Sequence, residues 1–594
     1  MDLEMDWIEH PCVGPNSSSP LECAPRVDGN WAVPKVVYPI SNHPIISLFN
    51  PGNDRAIPPI IGTIRGIVEQ HSPAEDMPAG IDVLRIGYPS ETQPPPVVLV
   101  ITVKPSTITW QQGSLIAQKV LRVVHQCNSG LEDVHCEVFE ADLVSHGAII
   151  SRGTIPEITQ TTPTVPSDLD IPAVESNEGH SLFWPIQNDW PSGFFVNPKD
   201  FAVQFRHDLL NFTSYLGRPI VAPSENEGYG SSGLYLRLSK GEEGDKDTQS
   251  INVLVAARHV VCSVTNASII NQLDNPNNPT SIQVFQLPQQ DANRIREKIQ
   301  DYINSQTQAK NYLEAKAGAE ALEPKQQQVY QMIARNIAQA ENFLAHCVSV
   351  FDITKRHIGD VVASPVVSTL ENKRRDWALI KLNRHVFGRG LLPNRVCIAS
   401  LDEVSRRHLE ATGSTLLVQG RRKNELEDMT GEMGDFLDIT RYFTLKDLDK
   451  QGNLPVSRTD HHTSIEETIE KGCLHVYMVG PTTNGSSGAL NRVYNYRWEG
   501  KHSVTTREYC VISSRAGSPF SQPGDSGSVV FTVLLDENKE ASFATQATVG
   551  ALGFLWGAFK PDPRKEYLQI SYVTPFEDVK DTIEEFTGWL VHLP

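Results

Sequence analysis

The chain has 594 residues, 39% of them hydrophobic and 21% charged. That is the composition of an ordinary globular protein, too long for one core, so roughly two to four domains are expected. A net charge of -19, with no basic cluster interleaved with aromatics, excludes phosphate-backbone binding as the main activity and predicts no nucleic-acid partner.

No apolar run approaches bilayer-spanning length, so no membrane span is expected. The start, Met1-Asp2-Leu3-Glu4-Met5-Asp6-Trp7, is acidic and lacks the apolar core of a secretory signal. Nine scattered cysteines form neither a disulfide framework nor a paired zinc site. A cytoplasmic protein with reduced thiols, no metal and no cofactor is expected.

Residues 1–40 carry scattered Pro, Asn, Ser and Gly and are predicted to be an irregular tail. An α+β domain is predicted over 41–150. Residues 80–87 alternate like a strand, and 96–103 form a buried apolar strand. Residues 110–125 have helical spacing, with Leu115, Val120, Leu121 and Val124 apolar, and 134–143 alternate again. This unit holds no catalytic constellation, so an accessory or recognition role is expected. Residues 151–195, rich in Thr, Pro, Ser and acids, are predicted to be a linker, and a helical pattern returns over 197–216.

Gly228-Tyr229-Gly230-Ser231-Ser232-Gly233 has the spacing of a dinucleotide-binding loop. That loop needs a helix after it, whereas Leu234-Tyr235-Leu236-Arg237-Leu238 alternates as a strand, so nucleotide binding is rejected. Farther on, Ile295, Ile299, Tyr302, Ile303 and Leu313 share one helical face. Pro324 then restarts a second helix with Val329, Ile333, Ile337, Phe343 and Leu344. The pattern predicts an αα-hairpin over 287–347, either a packed surface insert or a partner-binding arm.

The chemistry centres on Gly524-Asp525-Ser526-Gly527, which opens into the apolar Val529-Val530-Phe531. Two glycines allow a tight turn that aims the Gly524 and Ser526 N–H groups at one point, an oxyanion hole for a carbonyl attacked by Ser526. A serine nucleophile needs a base, and the base needs an orienting acid. His259 follows the apolar run Val253-Leu254-Val255-Ala256-Ala257, and Asp376 opens the buried-strand pattern Trp377-Ala378-Leu379-Ile380-Lys381-Leu382. Asp460-His461-His462 is predicted to be a solvated loop rather than a metal site, and the Glu466-Glu467 and Glu584-Glu585 pairs to be solvated helix faces.

The order His259, Asp376, Ser526, with Ala-Ala-x-His, Asp-x-Ala-Leu-x-x-Leu and Gly-Asp-Ser-Gly around them, resembles the chymotrypsin/trypsin-like serine protease family. Val476, Gly480, Thr482, Thr483 and Gly488 resemble a strand-turn segment of intracellular and microbial members, as does Phe520 through Ser528 around the nucleophile. The resemblance covers residues 215–594, and the protease domain is placed at 196–594. It implies a mainly β protein of two six-stranded antiparallel barrels, interrupted by the hairpin. It also implies a serine endopeptidase acting on protein or peptide substrates through a catalytic triad. It places Phe520 at the base of the primary specificity pocket, with Gly550, Leu552 and Gly553 on the strand lining the cleft. Phe520 is not an acid, so small or apolar side chains are expected before the cut. Arg218-Pro219-Ile220-Val221 looks like an activation site, but its proline disfavours cleavage, and Asp525 is then expected to find another partner, such as a backbone N–H. The alternatives are a protease-like scaffold that recruits partners through 41–150 or the hairpin, and a non-peptidase acyl hydrolase.

Overall fold

The computed structural model describes residues 12–13, 36–40, 43–50, 56–71, 79–87, 95–127, 130–145, 211, 215–222, 229–241, 249–262, 269–273, 282–319, 321–351, 353–383, 393–397, 401, 436–444, 447–448, 474–501, 503–514, 519–535, 547–560 and 570–594. The predicted linker, most of the helix predicted over 197–216, Asp460-His461-His462 and Glu466-Glu467 lie outside them.

The N-terminal unit follows the predicted β-β-α-β order and adds elements. Its strands are β1 (Cys12–Val13), β2 (Val36–Tyr38), β3 (Ala79–Gly87), β4 (Val97–Val103), β5 (His135–Glu140) and β6 (Asp142–Ser145). Its helices are α1 (Ile45–Phe49), α2 (Pro59–His71) and α3 (Trp110–Cys127). Thus β1 and β2 form inside the stretch predicted to be an irregular tail, because each finds a partner: β1 on β5 and β2 on β3. Every residue of β4 is buried, as its unbroken Val/Leu/Ile run requires of a central strand covered on both faces. Ile116, Ala117, Val120, Leu121 and Val124 of α3 join Ile60, Ile61, Ile64 and Val68 of α2 in one core.

The chain then builds a nine-stranded sheet. It comprises β7 (Pro219–Val221), β8 (Gly230–Ser231), β9 (Tyr235–Lys240), β10 (Gln249–Ala256), β11 (Ile270–Asn271), β12 (Gln283–Gln286), β13 (His357–Ser364), a strand at Ala378–Leu382 and one at Leu590–His592. A small hairpin, β14 (Ser368–Leu370) with β15 (Lys373–Arg375), precedes Ala378–Leu382, which is β16. The short helix α4 (Arg258–Val261) follows β10. Between β12 and β13 stand α5 (Gln289–Ala319) and α6 (Pro324–Phe351), the predicted hairpin. Ile295, Ile299, Ile303 and Ile333 are buried, while Tyr312 and Met332 are exposed. Gly230–Ser231 leads into strand β9 rather than a helix, as the alternation of Leu234 to Leu238 predicted.

Short pairings come next, β17 (Arg395–Cys397) with β18 (Phe436–Asp438), and β19 (Arg441–Tyr442) beside the strand at Ala547–Lys560. The remaining strands are β20 (Leu474–Gly480), β21 (Asn484–Leu490), β22 (Asn495–Trp498), β23 (Thr506–Ser513), β24 (Val529–Leu535), β25 (Ala547–Lys560), β26 (Ile570–Pro575) and β27, the strand at Leu590–His592. Six of them close on themselves in the antiparallel ring β20-β21-β23-β26-β25-β24. The described pairings of the first sheet form a row, β27-β9-β10-β16-β13-β12-β7-β8, with β11 on β13. Helix α7 (Phe576–Thr587) ends at Gly588 in the left-handed region and hands the chain to β27, which pairs with β9. Among the described residues no helix is long and apolar enough to cross a membrane.

The N-terminal unit is not hung on a tether. Its β3 pairs with β22 (Tyr496↔Ile81, Arg497↔Gly80, Trp498↔Ala79), so its sheet runs into that of the closed barrel. Its other face packs Leu84, Ile86, Val98, Val100 and Phe139 against Cys510, Ile512, Trp556, Ile570 and Tyr572. Buried Asn491 bolts the junction: its Oδ1 accepts the Ile40 N–H, and its Nδ2 donates to the Val83 and Val493 carbonyls. Replacing Asn491 by Ala strands these buried groups, and urea unfolding is expected to show a loss of about 2 kcal/mol.

Candidate active site

Strands β10 and β16 explain why two residues far apart in sequence meet. Their register runs Val253↔Lys381 to Ala256↔Ala378, so the chain just past the end of one lies beside the chain just before the start of the other. The Arg258 N–H continues the ladder onto the Asp376 carbonyl at 3.3 Å. One residue on, His259 Nδ1 lies 2.7 Å from Asp376 Oδ2, and the His259 backbone N–H donates to Oδ1 at 3.2 Å. Both carboxylate oxygens are thereby used, and the ring orientation is fixed. The Nδ1 proton points at the carboxylate, which leaves Nε2 as the basic nitrogen. Among the described residues Nε2 has no hydrogen-bond partner, and it is shut off from water.

Asp376 is fully buried, which pushes its pKa up. The His259 charge and hydrogen bonds, with the Arg374 guanidinium 3.5 Å away, outweigh that and hold the carboxyl well below its usual range. The Arg374 guanidinium carbon sits over the Trp556 indole, 3.9 Å from the ring centroid.

The Gly-Asp-Ser-Gly turn sits across from this pair. Gly524 and Gly527 have φ of +103° and +90°, a conformation in which a Cβ is strained. At Gly524 a side chain would also meet Thr482 Oγ1 and the Tyr229 ring. The Ser526 carbonyl accepts the Ser231 N–H at 2.7 Å, and the Gly527 N–H donates to Leu555 at 2.8 Å. The Ser526 hydroxyl donates to the Trp556 carbonyl at 3.2 Å, not to the imidazole. Ser526 has no exposed surface. Among the described residues no acceptor takes the Gly524 or Ser526 N–H. Val260, one residue past His259, packs where a side chain on Gly230 would stand, next to the Ser526 carbonyl.

Asp525 finds backbone partners. Its Oδ1 accepts the N–H groups of Thr482 (2.9 Å) and Thr483 (3.2 Å), and its Oδ2 that of Gln522 (2.8 Å). Burial nevertheless pushes its pKa up to about 6. Pro219–Val221 is strand β7, paired on both sides, with Ile220 fully buried.

The expected pocket residues divide. Phe520 is fully buried below the turn, its ring against Gly488 and its carbonyl accepting Ser486 Oγ. Leu552 is buried in the same core, Gly550 lies against the Phe443 ring, and Gly553 against the Thr574 carbonyl. The residues of β25 that touch the Gly-Asp-Ser-Gly turn are Leu555 and Trp556, farther along the strand than the sequence reading placed them. Sequence reasoning passed over Arg374 and Trp556, and it named Ser231 and Thr482 only within the Gly-rich and strand-turn patterns, without a role at the site. Glu584 differs from its expected solvated state too, since it accepts the Val591 N–H and pairs with Lys580.

No protein-family model matches this chain, and no curated protein is similar to it.

Glu508 on β23, fully buried near Arg374 and Arg497, is pushed up to about 7 by burial despite those cations. The folded state therefore keeps a proton that the unfolded chain releases near its ordinary 4.5. Stability contributed by this group falls as pH rises from that value toward 7, and raised Asp525 acts in the same direction. Asp376 acts oppositely, its contribution being lost as acid protonates it. Unfolding free energy measured in urea is expected to decline across the window from 4.5 to 7, and Glu508→Gln is expected to flatten that decline.

Proposed function

We propose that this chain is a serine endopeptidase with a two-barrel, chymotrypsin-like catalytic unit, hydrolysing peptide bonds through an acyl-enzyme. One observation carries the reading. A histidine is locked by both oxygens of a buried carboxylate, with its other nitrogen bare, beside a strained Gly-Asp-Ser-Gly turn. A purely structural histidine has no need of a bare buried nitrogen.

Ser526 attacks the scissile carbonyl as its hydroxyl swings from Trp556 to His259 Nε2, which takes the proton and later delivers it to the leaving amine. Asp376 keeps the imidazole tautomer and stabilises its positive charge. The Gly524 and Ser526 N–H groups bind the oxyanion, each such donor contributing about 10²–10³ in rate. Asp525, held by three N–H donors, supports the turn without a new chain terminus, so activation by cleavage at Arg218 is not part of the proposal. Free thiols at Cys127, Cys136, Cys262 and Cys510 support an intracellular setting.

A fluorophosphonate probe is expected to label the wild type and not Ser526→Ala. Replacing Asp376 by Asn is expected to lower kcat on a peptide substrate by about 10⁴. No labelling, or equal labelling of both, returns the chain to the scaffold reading, which the hydroxyl's present bond to Trp556 favours. Turnover of small esters without peptides would identify an acyl hydrolase instead.

Phe520, buried and uncharged, supports a preference for small or apolar side chains before the cut. A peptide library is expected to return such residues, and strict cleavage after Arg would refute this.

A further inference from the structure

Strand β15 is Lys373-Arg374-Arg375, and each of its cations has its own partners. Lys373 Nζ pairs with Asp581 of α7 at 3.1 Å, and Arg375 Nε donates to Ser368 Oγ of β14 at 3.1 Å. Side chains alternate along a strand, so the middle residue leaves by the other face. The Arg374 side chain goes inward and keeps only 11% of its surface exposed.

There it meets both halves of the site. Its Nη2 lies 3.5 Å from Asp376 Oδ2, long for a hydrogen bond, so charge carries most of the attraction. Its guanidinium carbon sits 3.9 Å from the centre of the Trp556 indole, and the Trp556 carbonyl holds the Ser526 hydroxyl. The two His259 N–H groups occupy one place on each oxygen of the carboxylate. Among the described residues Arg374 is the one further donor to it. Leu555 borders the same cavity as Asp376 and Arg374 but brings only carbon.

Stability alone does not account for this arrangement. Arg374 Nε is buried and has no hydrogen-bond partner among the described residues. Burying a guanidinium without satisfying it is costly, and a buried ion pair is weak evidence of a stabilising role.

We propose that Arg374 is a positioning residue of the hydrolytic site: it is the third anchor of the Asp376 carboxylate, ties it to the Trp556 stretch of β25, and so sets both the aim and the basicity of His259. The inference rests on the peptidase reading above and adds a fourth side chain to its machinery. Arg374 Nη2 and His259 Nδ1 share the Oδ2 oxygen, so guanidinium and imidazole are close neighbours. The cation holds the carboxylate ionised and still, which aims the ring, but its like charge opposes formation of the imidazolium. Without Arg374 the base becomes stronger and worse aimed.

The other ionisable groups around the pair are Cys262 just after α4, Glu508 on β23, Arg497 on β22 and Glu499 directly after that strand. Glu508, pushed up to about 7 by burial, titrates where a histidine base does, so it needs its own control.

The rate of fluorophosphonate labelling at Ser526, followed against pH in the full chain, reads the base without a known substrate. The wild-type rate is expected to rise through one midpoint to a plateau. Arg374→Gln is expected to move that midpoint up by at least about half a pH unit and to lower the plateau about tenfold. Arg374→Lys keeps the charge but loses the planar group over Trp556, so its midpoint is expected to stay and its plateau to fall about threefold. The displacement is expected to persist when both chains also carry Glu508→Gln. A cooperative urea transition reports that each variant is folded.

A merely structural arginine would lower the rate at every pH and leave the midpoint in place. That result for folded Arg374→Gln overturns the inference and leaves the peptidase reading standing. So does a displacement that vanishes with Glu508→Gln, since the titrating group is then Glu508. If Arg374→Gln does not fold, Arg374→Lys decides, and a wild-type plateau there overturns the positioning role. A wild type that never labels removes the peptidase reading, and this inference with it.

Discussion

The Gly-Asp-Ser-Gly turn is held from both sides. The Ser526 carbonyl is tied to Ser231 in the first sheet, and the next amide, Gly527, is tied to Leu555 in the closed barrel. Each bond contributes only about 1 kcal/mol net, so their importance lies in position rather than in stability. They fix the serine at the seam where His259 also arrives, carried by the β10–β16 register. Close packing enforces the same placement, since a Cβ at Gly230 or Gly527 would collide with neighbouring main chain. The His259–Asp376 pair and the Ser526 turn therefore share one seam because two sheets are locked together, not because any one loop brings them there.

Burial sets the electrostatics of that seam. Asp376 stays charged because the histidine and Arg374 outweigh desolvation, whereas Asp525 and Glu508 are pushed the other way despite hydrogen-bond donors or nearby cations. Arg374 links the groups: it pairs with Asp376, sits over Trp556 and faces buried Glu508. The indole beneath it belongs to the cluster that joins the N-terminal unit to the barrel. The unit read as an accessory module is thus built into the wall behind the serine.

Much of this was legible in the sequence. The hairpin showed itself through helical spacing and Pro324, and β4 through an unbroken apolar run, because both signals are local. The residues at the site were legible for the same reason, each sitting in a short strand-and-turn pattern. The pairings β3–β22 and β6–β25 were not, since they join segments hundreds of residues apart and no local pattern encodes a partner. Helix α2 was not predicted, although Ile60, Ile61, Ile64 and Val68 have helical spacing. The resemblance placed the cleft strand at Gly550, Leu552 and Gly553, whereas the β25 residues bonded to the turn are Leu555 and Trp556, and the glycines at 550, 553 and 557 leave no alternation to mark that face.

The root of the helical hairpin has a mechanical meaning. Arg356, almost fully buried, clamps it by donating to the Gln286 and Leu287 carbonyls and to Gln289. Helix α5 extends about 45 Å from that clamp. A load applied at its tip works on a long lever whose fulcrum is the β12–β13 junction, and β13 is the strand beside β16. Through β13 the root of that lever is hydrogen-bonded to β16, the strand that follows Asp376.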